Sequence, residues 1–355
     1  MSNDLLELTA QLVAVPSVSH HEVALADLVE ARLRAVAGLD VTRVGDNVVA
    51  RTAWGRPTRV VLAGHLDTVP PNGNEVARRD GDVLWGLGST DMKGGLAVML
   101  DLAESLTSAA HDLSYVFYVA EEVAREHSGL LQMEARQPRL LEADAAVVCE
   151  PTNCAVEAGC QGVLKARVVL VGERAHVSRP WRGVNAVHRM APALEALRSW
   201  PAREASVEGC TYRESLQVVS VSGGVASNVV PDRAEMVVNY RYAPDRSADA
   251  ALGHLQDLLR PHLGAGDTVE VVDSAPAAPP ALAHPVLAGL VERSQAPVVA
   301  KLGWTDVAFF AERGVPAANF GPGDPELAHT AGEHVSREAL ERARDVLAQV
   351  VRGAN

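Results

Sequence analysis

The sequence has few cysteines, no long apolar run and no basic leader, and each lack excludes a class of protein. Its four cysteines, at positions 149, 154, 160 and 210 of 355 residues, include no C-x-x-C pair. This pattern favours reduced thiols over a disulfide framework. A membrane-spanning helix needs about 18 consecutive apolar residues, and no such run occurs. The first residues, M-S-N-D-L-L-E-L, lack the positive charges of a signal peptide, so we expect a cytoplasmic protein.

Positive charge is also scarce. The chain carries 32 Lys and Arg against 45 Asp and Glu, which gives a formal net charge of −13. Proteins that bind nucleic acid usually present a basic face, so we expect a small-molecule substrate, with neither nucleic acid nor a membrane as partner. The hydrophobic content of 48% is enough for a sizeable core, and the length indicates about two domains.

The first half of the chain alternates short apolar runs with a helical segment. We predict buried strands at 59–63, 113–120 and 145–149, and a helix at 95–105. Continuous apolar strands separated by helices are typical of a parallel sheet that is covered on both faces. The sequence therefore predicts an α/β catalytic domain with a mainly parallel sheet and helices on both of its faces.

The pattern changes near Gly162, where the strands become half-buried. The predicted order from there is β-α-β-β-α-β, which is the ferredoxin-like order. Its elements are strands at 163–173, 215–222, 233–242 and 267–273 and helices at 184–199 and 247–263. A link rich in Pro and Ala follows at 275–282. We therefore predict an inserted α+β domain at 163–276 and a catalytic domain formed by 1–162 and 277–355.

Acidic residues and a histidine follow the three apolar strands. His65 and Asp67 end the first, Glu121 and Glu122 end the second, and Glu150 ends the third. Taken singly, each has an ordinary explanation as a surface turn or a solvated charge. Ligands of open parallel sheets bind outside the carboxyl ends of the strands, so the three together predict a functional site at that edge.

Asp91, in the glycine-rich segment G-S-T-D-M-K-G-G, and His329, in L-A-H, complete a set of metal-ligating residue types. Alone, Asp91 is typical of a helix cap. Two cations that share one carboxylate need about five protein ligands. The candidates are His65, Asp91, Glu122, Glu150 and His329. Mixed His and carboxylate ligands suit two Zn²⁺ per subunit, with Co²⁺ or Mn²⁺ as substitutes.

The motifs G-H-L-D-T-V-P, G-S-T-D-M-K-G-G, A-E-E, C-E-P-T and L-A-H resemble those of the dinuclear-zinc aminoacylase/carboxypeptidase family of metallopeptidases. The resemblance implies that Asp91 bridges two zinc ions. One is bound also by His65 and Glu150, and the other by Glu122 and His329. It implies that Glu121 is the general acid/base that activates a metal-bridging water, and that Asp67 lies behind His65. It also implies that the inserted domain is a dimerisation lid, so we expect a homodimer.

Finer motifs are similar to those of the actinobacterial type of succinyl-diaminopimelate desuccinylase within that family. They include E-A-G-C-Q-G, R-A-H-V-S-R-P-W-R-G-V-N, G-G-V-A-S-N-V-V-P-D, N-Y-R-Y and G-W-T-D-V. The similarity implies hydrolysis of N-succinyl-L,L-2,6-diaminopimelate, with His176 reaching across the dimer to the oxyanion. It assigns substrate contacts to Asn228, Arg241, Gly303 and Thr305.

Two segments depart from the family pattern, V-S-R-P-W-R-G-V-N after His176 and V-A-R-E-H-S-G after Glu122. They leave the exact acyl group open. It is also open whether Arg179, Arg182 and Arg213, all in motifs of the inserted domain, bind substrate or are surface charges. One alternative is an acetylornithine deacetylase or another N-acyl amino acid amidohydrolase or dipeptidase. A second is a catalytically silent relative that binds metal or peptide. The intact Glu121–Glu122 pair argues against a silent relative.

Overall fold

A computed structural model describes residues 4–353 of the chain. Within them, nine α-helices form. They are α1 (Leu5–Val13), α2 (Val23–Arg34), α3 (Gly94–Ser105), α4 (Gly129–Arg136), α5 (Ala186–Arg198), α6 (Ala248–Leu259), α7 (Pro285–Ser294), α8 (Val307–Ala311) and α9 (Arg337–Arg352). Within the same residues, every helix is too short or too polar to cross a membrane.

The described residues also contain seventeen β-strands. These are β1 (Asp40–Val44), β2 (Asn47–Arg51), β3 (Arg59–His65), β4 (Arg78–Asp80), β5 (Val83–Trp85), β6 (Asp112–Tyr118), β7 (Ala145–Val148), β8 (Val156–Ala158), β9 (Gly162–Val171), β10 (Glu204–Val207), β11 (Cys210–Arg213), β12 (Ser215–Gly223), β13 (Arg233–Tyr242), β14 (Thr268–Ala275), β15 (Val298–Ala300), β16 (Ala317–Asn319) and β17 (His334–Ser336).

The chain divides into two compact units. Unit 1 contains the chain up to Gly159, then Pro280–Val299, and the chain from Phe309 onward, whereas unit 2 contains Cys160–Pro279 and Ala300–Ala308. The predicted inserted domain, 163–276, lies within unit 2. The outermost residues of the predicted catalytic domain, 1–3 and 354–355, lie outside the described residues.

Unit 2 also takes in Ala300–Ala308, which the sequence analysis assigned to the catalytic domain. Hydrogen bonds explain this difference. Gln161 N–H donates to Lys301 O at 3.2 Å, and the indole N–H of Trp304 donates to Pro276 O at 3.1 Å. These bonds join the segment to both ends of the long stretch that forms unit 2, and no periodicity in the sequence indicates them.

An eight-stranded sheet forms the centre of unit 1, in the order β1-β2-β6-β3-β7-β16-β8-β15. The four strands β6, β3, β7 and β16 run parallel to one another. Every residue of β6 and β7 is buried. Successive side chains of a strand point to opposite faces, so the burial of all of them means that both faces are covered. The predicted α/β class with a mainly parallel sheet is confirmed.

Strand β16 is an element that the sequence analysis missed. Its segment, with Gly and Pro on both sides, was predicted to be only turns. Ala317–Asn319 instead pairs in parallel with β7 and antiparallel with β8. Three residues are too short for an alternating pattern to show, and the strand is defined by its neighbours rather than by its own sequence.

The sheet of unit 2 has four antiparallel strands in the order β12-β13-β9-β14. In chain order its elements are β9, α5, β12, β13, α6 and β14, which is the predicted β-α-β-β-α-β arrangement. Strand β13 begins with an exposed residue and then alternates between buried and half-buried residues. That period of two is what made the strand predictable from the sequence.

Candidate metal centre

Parallel pairing brings the polar residues at the ends of three strands to one edge of the sheet. Strand β3 lies between β6 and β7, and its last residue, His65, is in register with Tyr118 at the end of β6. Glu121 and Glu122 follow β6 after two residues, and Glu150 follows β7 after one. The predicted convergence of these side chains at the carboxyl edge is therefore present in unit 1.

The first cluster of possible metal ligands contains His65, Asp91 and Glu150. His65 Nε2 lies 3.0 Å from Asp91 Oδ1 and 4.0 Å from Glu150 Oε1. His65 and Glu150 are buried, with 1% and 6% of their surface exposed. One nitrogen and two carboxylate oxygens, all within 4.8 Å of one another, form a donor set that suits a divalent transition metal.

A second cluster contains Asp91, Glu122 and His329. His329 Nε2 lies 2.9 Å from Glu122 Oε1 and 3.4 Å from Asp91 Oδ2. Asp91 thus turns one carboxylate oxygen toward each cluster. This is the arrangement that a carboxylate shared by two cations requires.

Glu121 lies beside both clusters. Its carboxylate belongs to a third group of possible ligands, with His65 and Glu122, whose donor atoms also lie within 4.8 Å of one another. Both adjacent glutamates belong to this group with His65. Glu122 belongs also to the cluster with Asp91 and His329, and its Oε1 lies 2.9 Å from His329 Nε2.

Asp67 connects the ends of β3 and β6. Its backbone oxygen lies 2.9 Å from His65 Nδ1, and its Oδ1 lies 3.5 Å from the same nitrogen. Its carboxylate accepts hydrogen bonds from the backbone N–H groups of Glu121 and Glu122, both at 3.0 Å, and from the Ser19 hydroxyl at 2.8 Å. Asp67 therefore orients the imidazole and also fixes the backbone of both glutamates.

The surrounding carboxylates favour positive charge at the two histidines. Burial acts to lower the pKa of His65, but Asp67 and Asp91 outweigh it and raise this pKa well above its usual value. Hydrogen bonds with Asp91 and then Glu122 raise the pKa of His329 to about 10. Burial acts to raise the pKa of Asp91, yet both histidines together lower it. The same negative field would favour a divalent cation.

Glu333, which no motif in the sequence indicates, holds the backbone around Asp91. Its buried carboxylate accepts hydrogen bonds from the N–H groups of Gly88, Thr90 and Asp91, each at 3.0 Å. Burial raises the pKa of Glu333. A single glutamate in a loop gives no signal in the sequence, because its partners are backbone groups more than 240 positions away.

Glu22 was missed for the same reason. This glutamate is buried, and its carboxylate accepts a hydrogen bond from Ala120 N–H at 3.1 Å. Ala120 has a φ of 60°, in the left-handed region that alanine rarely adopts. The hydrogen bond stabilises the sharp turn that presents Glu121 after β6.

His176 and Asn228 lie on neighbouring segments of unit 2. His176 pairs with Val229 in an isolated bridge, and Val177 N–H donates to Asn228 O. The His176 side chain is exposed, and its Nδ1 accepts a hydrogen bond from Ser178 N–H at 3.1 Å. With Nδ1 as an acceptor, the neutral ring carries its proton on Nε2, which can donate to an anion.

Arg241, Gly303 and Thr305 also belong to unit 2. Burial lowers the pKa of the half-buried Arg241, with Asp273 opposing this effect. The buried Thr305 hydroxyl has no hydrogen-bond partner within residues 4–353, whereas Gly303 is exposed. The three arginines whose role was left open, Arg179, Arg182 and Arg213, are exposed.

Comparison with known proteins gives a consistent result. The model of peptidase family M20/M25/M40 matches residues 61–353. A Mycobacterium tuberculosis protein to which succinyl-diaminopimelate desuccinylase activity is provisionally ascribed is 47% identical over 99% of both chains. The succinyl-diaminopimelate desuccinylase of Corynebacterium glutamicum is 41% identical over 98% of this chain and 95% of its own.

Solved structures share the fold at lower identity. The aminopeptidase PepT from Bacillus cereus superposes with a TM-score of 0.81 and 19% identity, over 99% of this chain and 98% of its own. A dinuclear metal-binding peptidase of family M20 from Bacillus subtilis gives a TM-score of 0.75 at 16% identity, over 98% and 96% of the two chains. From the family match and the near-full-length relatives, we conclude that this chain is a metal-dependent hydrolase that belongs to peptidase family M20/M25/M40.

Proposed function

We propose that this chain hydrolyses N-succinyl-L,L-2,6-diaminopimelate to succinate and L,L-2,6-diaminopimelate, a step in the biosynthesis of lysine and diaminopimelate. The observation that carries the proposal is the pair of clusters that share Asp91. The chain is also 41% identical to a relative named for that activity and 47% identical to one to which it is provisionally ascribed. A cytoplasmic location remains a prediction that accompanies this biosynthetic role.

The residues of the two clusters fit a pair of zinc ions. His65, Asp91 and Glu150 would hold one, and Asp91, Glu122 and His329 the other. Imidazole nitrogens and carboxylate oxygens are common zinc ligands, and Co²⁺ and Mn²⁺ accept the same types. When bound, such a pair supplies Lewis acidity, which lowers the pKa of a water and polarises an acyl carbonyl.

Glu121 is the group that moves the proton. It takes a proton from the attacking water, whose oxygen then bonds to the succinyl carbonyl carbon. The bond between that carbon and the amide nitrogen breaks, and Glu121 returns the proton to the leaving amine. Asp67 keeps Glu121 in place through its hydrogen bond to the Glu121 N–H.

His176 provides the oxyanion donor in this proposal. Ser178 occupies its Nδ1, so the neutral ring carries its proton on Nε2 and can donate it to another group. We propose that this donor comes from the second subunit of a homodimer that forms through unit 2. A single well-placed donor to an oxyanion typically contributes about 3 kcal/mol.

The substrate has carboxylates on both the succinyl and the diaminopimelate parts, so its recognition needs cationic and polar groups. Arg241 is half-buried and its side chain makes no hydrogen bond or ion pair to any residue in 4–353, so its guanidinium is available for a bidentate pair with a carboxylate. Asn228, Gly303 and Thr305 supply the remaining contacts in this proposal. The unpartnered Thr305 hydroxyl supports its place among them.

The test is hydrolysis by metal-reconstituted protein of N-succinyl-L,L-diaminopimelate, with N-acetylornithine and a tripeptide as competing substrates. We expect the succinyl substrate to have the highest kcat/KM. Turnover of acetylornithine alone would reject the proposed substrate but keep the hydrolase. Turnover of none of the three would reject the proposed substrate class.

Glu121→Gln is the matched variant for that assay. The amide keeps the size of the side chain but cannot accept a proton from water. We therefore expect a kcat about 10²–10⁴-fold lower, with the same metal content by elemental analysis. Undiminished turnover would remove Glu121 from its proposed role.

A further inference from the structure

Asp91 lies on an irregular turn rather than on a regular element. It belongs to Ser89–Lys93, between β5 and α3, and its φ of −116° and ψ of 95° are not helical. Its carboxylate is the one shared by both ligand clusters. A displacement of this turn would therefore move a donor atom away from both clusters at once.

Glu333 supplies the acceptors for three backbone N–H groups in and beside this turn. Glu333 Oε1 accepts from both Thr90 N–H and Asp91 N–H, and its Oε2 accepts from Gly88 N–H. Only 1% of the Glu333 surface is exposed, so water does not compete for these bonds. A carboxylate accepts these three hydrogen bonds through two oxygens, whereas an amide has one acceptor oxygen and would turn an NH₂ donor toward the remaining N–H.

The contacts around Glu333 hold the turn at further points. Thr90 donates its hydroxyl proton to His334 O, and Gly86 N–H donates to Glu333 O. Strand β17, which begins at His334, pairs antiparallel with β5 just before the turn. Glu333 is thus fixed by the neighbouring strand on one side and holds the backbone of Asp91 on the other.

We propose that Glu333 is a positioning residue that sets the Asp91 carboxylate for binding both metal ions, an inference that rests on the proposed two-metal function. Groups that orient metal ligands typically change metal affinity by about 10–100-fold when removed. Because Asp91 belongs to both clusters, the loss should affect both ions. A ligand confined to one cluster, such as Glu150 or His329, should affect mainly one.

The experiment is a titration of metal-free protein with Co²⁺, followed by calorimetry and by the visible absorption of the bound ion. We expect wild type to bind two Co²⁺ per chain. In Glu333→Gln, one amide oxygen still faces Thr90 and Asp91, but the NH₂ group confronts Gly88 N–H. We therefore expect both Co²⁺ sites to weaken by about 10–100-fold, with a shifted absorption spectrum.

Asp112→Asn is the matched control. Asp112 is also a buried carboxylate, and it accepts hydrogen bonds from the backbone N–H groups of Trp54 and Arg56. It lies at the opposite end of β6 from Glu121. This variant should lower the melting temperature without changing Co²⁺ affinity. Should Glu333→Gln fail to fold, Glu333→Asp, which shortens the carboxylate by one methylene, tests the same point.

The outcomes separate the two proposals. If wild type binds two Co²⁺ and the Glu333 variant binds them with the same affinity, Glu333 has no positioning role and the two-metal function stands. If wild type binds no Co²⁺, the metal proposal fails and the inference fails with it. An equal loss of affinity in Asp112→Asn would show a general effect of stability and would also overturn the inference.

Discussion

His176 illustrates how one neighbouring residue determines the proton position on a histidine. Ser178 N–H and the Ser178 hydroxyl oxygen lie 3.1 Å and 2.8 Å from His176 Nδ1. Ser178 belongs to the segment that departs from the family pattern. The serine therefore has a defined contact with the imidazole, through a hydroxyl that alanine would lack.

Ser178→Ala should lower kcat with little change in KM. The backbone N–H remains, but loss of the hydroxyl frees the ring to rotate and to exchange tautomers. We expect a reduction of a few-fold, smaller than the roughly 10²–10³-fold expected for His176→Ala, which removes the oxyanion donor itself. Steady-state kinetics on the succinyl substrate would measure both variants. A Ser178→Ala effect on KM alone would contradict this role.

The site residues that could be predicted from the sequence are those that follow a recognisable strand. His65, Glu122 and Glu150 follow strongly apolar runs, and the parallel pairing of β3, β6 and β7 brings those ends together. Glu333 and Glu22 follow no such run. Their partners are backbone N–H groups of distant segments, which any sequence supplies, so only the folded chain identifies them.

At the scale of elements, the start of α3 packs very tightly against the end of β7. A Cβ atom at Gly95 would lie only 2.3 Å from Cys149 O, the carbonyl just before Glu150. This close approach is what requires glycine. An unusual backbone angle is not the reason, since Gly95 lies within the helix. The packing fixes the distance between the helix that follows Asp91 and the strand that precedes Glu150.

Gly95→Ala should destabilise unit 1 by about 1–3 kcal/mol, since the added methyl group overpacks a buried contact with backbone atoms. Chemical denaturation would measure the change. Gly253→Ala is the matched control, because Gly253 lies within α6 and an added Cβ meets no atom within 4 Å. Alanine there should stabilise by roughly 0.5–1 kcal/mol. Equal effects of the two substitutions would contradict the packing argument.

The helices and strands differ in how well their own sequences predict their presence and their bounds. Strand β13 spans Arg233–Tyr242, as its alternating pattern predicted, and α3 begins within one residue of the predicted start. Strands β16 and β17 have three residues each and form because a neighbouring strand offers them hydrogen bonds. Pairing with distant strands is a tertiary effect, so local propensity could not reveal it.

At the scale of the whole molecule, the proposed dimer has a candidate surface on β12. This strand is at the edge of the sheet of unit 2, with a bulge between Val218 and Ser220. Val219 and Val221 are 59% and 53% exposed. An exposed apolar edge strand offers unpaired backbone groups and favours association, unless charge protects it.

Val221→Lys should therefore shift the protein from dimer to monomer, as measured by light scattering in solution. If His176 acts across the dimer, the monomer should also lose activity while it retains metal. Val299→Lys is the control, since Val299 is 40% exposed on β15, an edge strand of the other sheet. It should leave the molecular mass unchanged. A wild-type protein that is monomeric at assay concentration would reject the dimer.

Metal binding and protonation should compete at His329, and this competition should affect the stability of the whole protein. The pKa of His329 is raised to about 10 from 6.5 in the metal-free chain by Asp91 and Glu122. A raised pKa contributes stability that is fully present below pH 6.5 and is lost as the pH rises through about 10. A bound cation must displace the same proton, so metal affinity should increase over that range.

We therefore expect the metal-free protein to lose stability from pH 6.5 to pH 10, and metal-induced stabilisation to grow over the same window. Burial lowers the pKa of Lys93 to about 8, which acts in the opposite direction, so the variant His329→Gln is needed as the reference. The difference in melting temperature between wild type and His329→Gln, each with and without Zn²⁺, isolates the histidine. If that difference did not change with pH, the protons that metal binding releases could not come from His329.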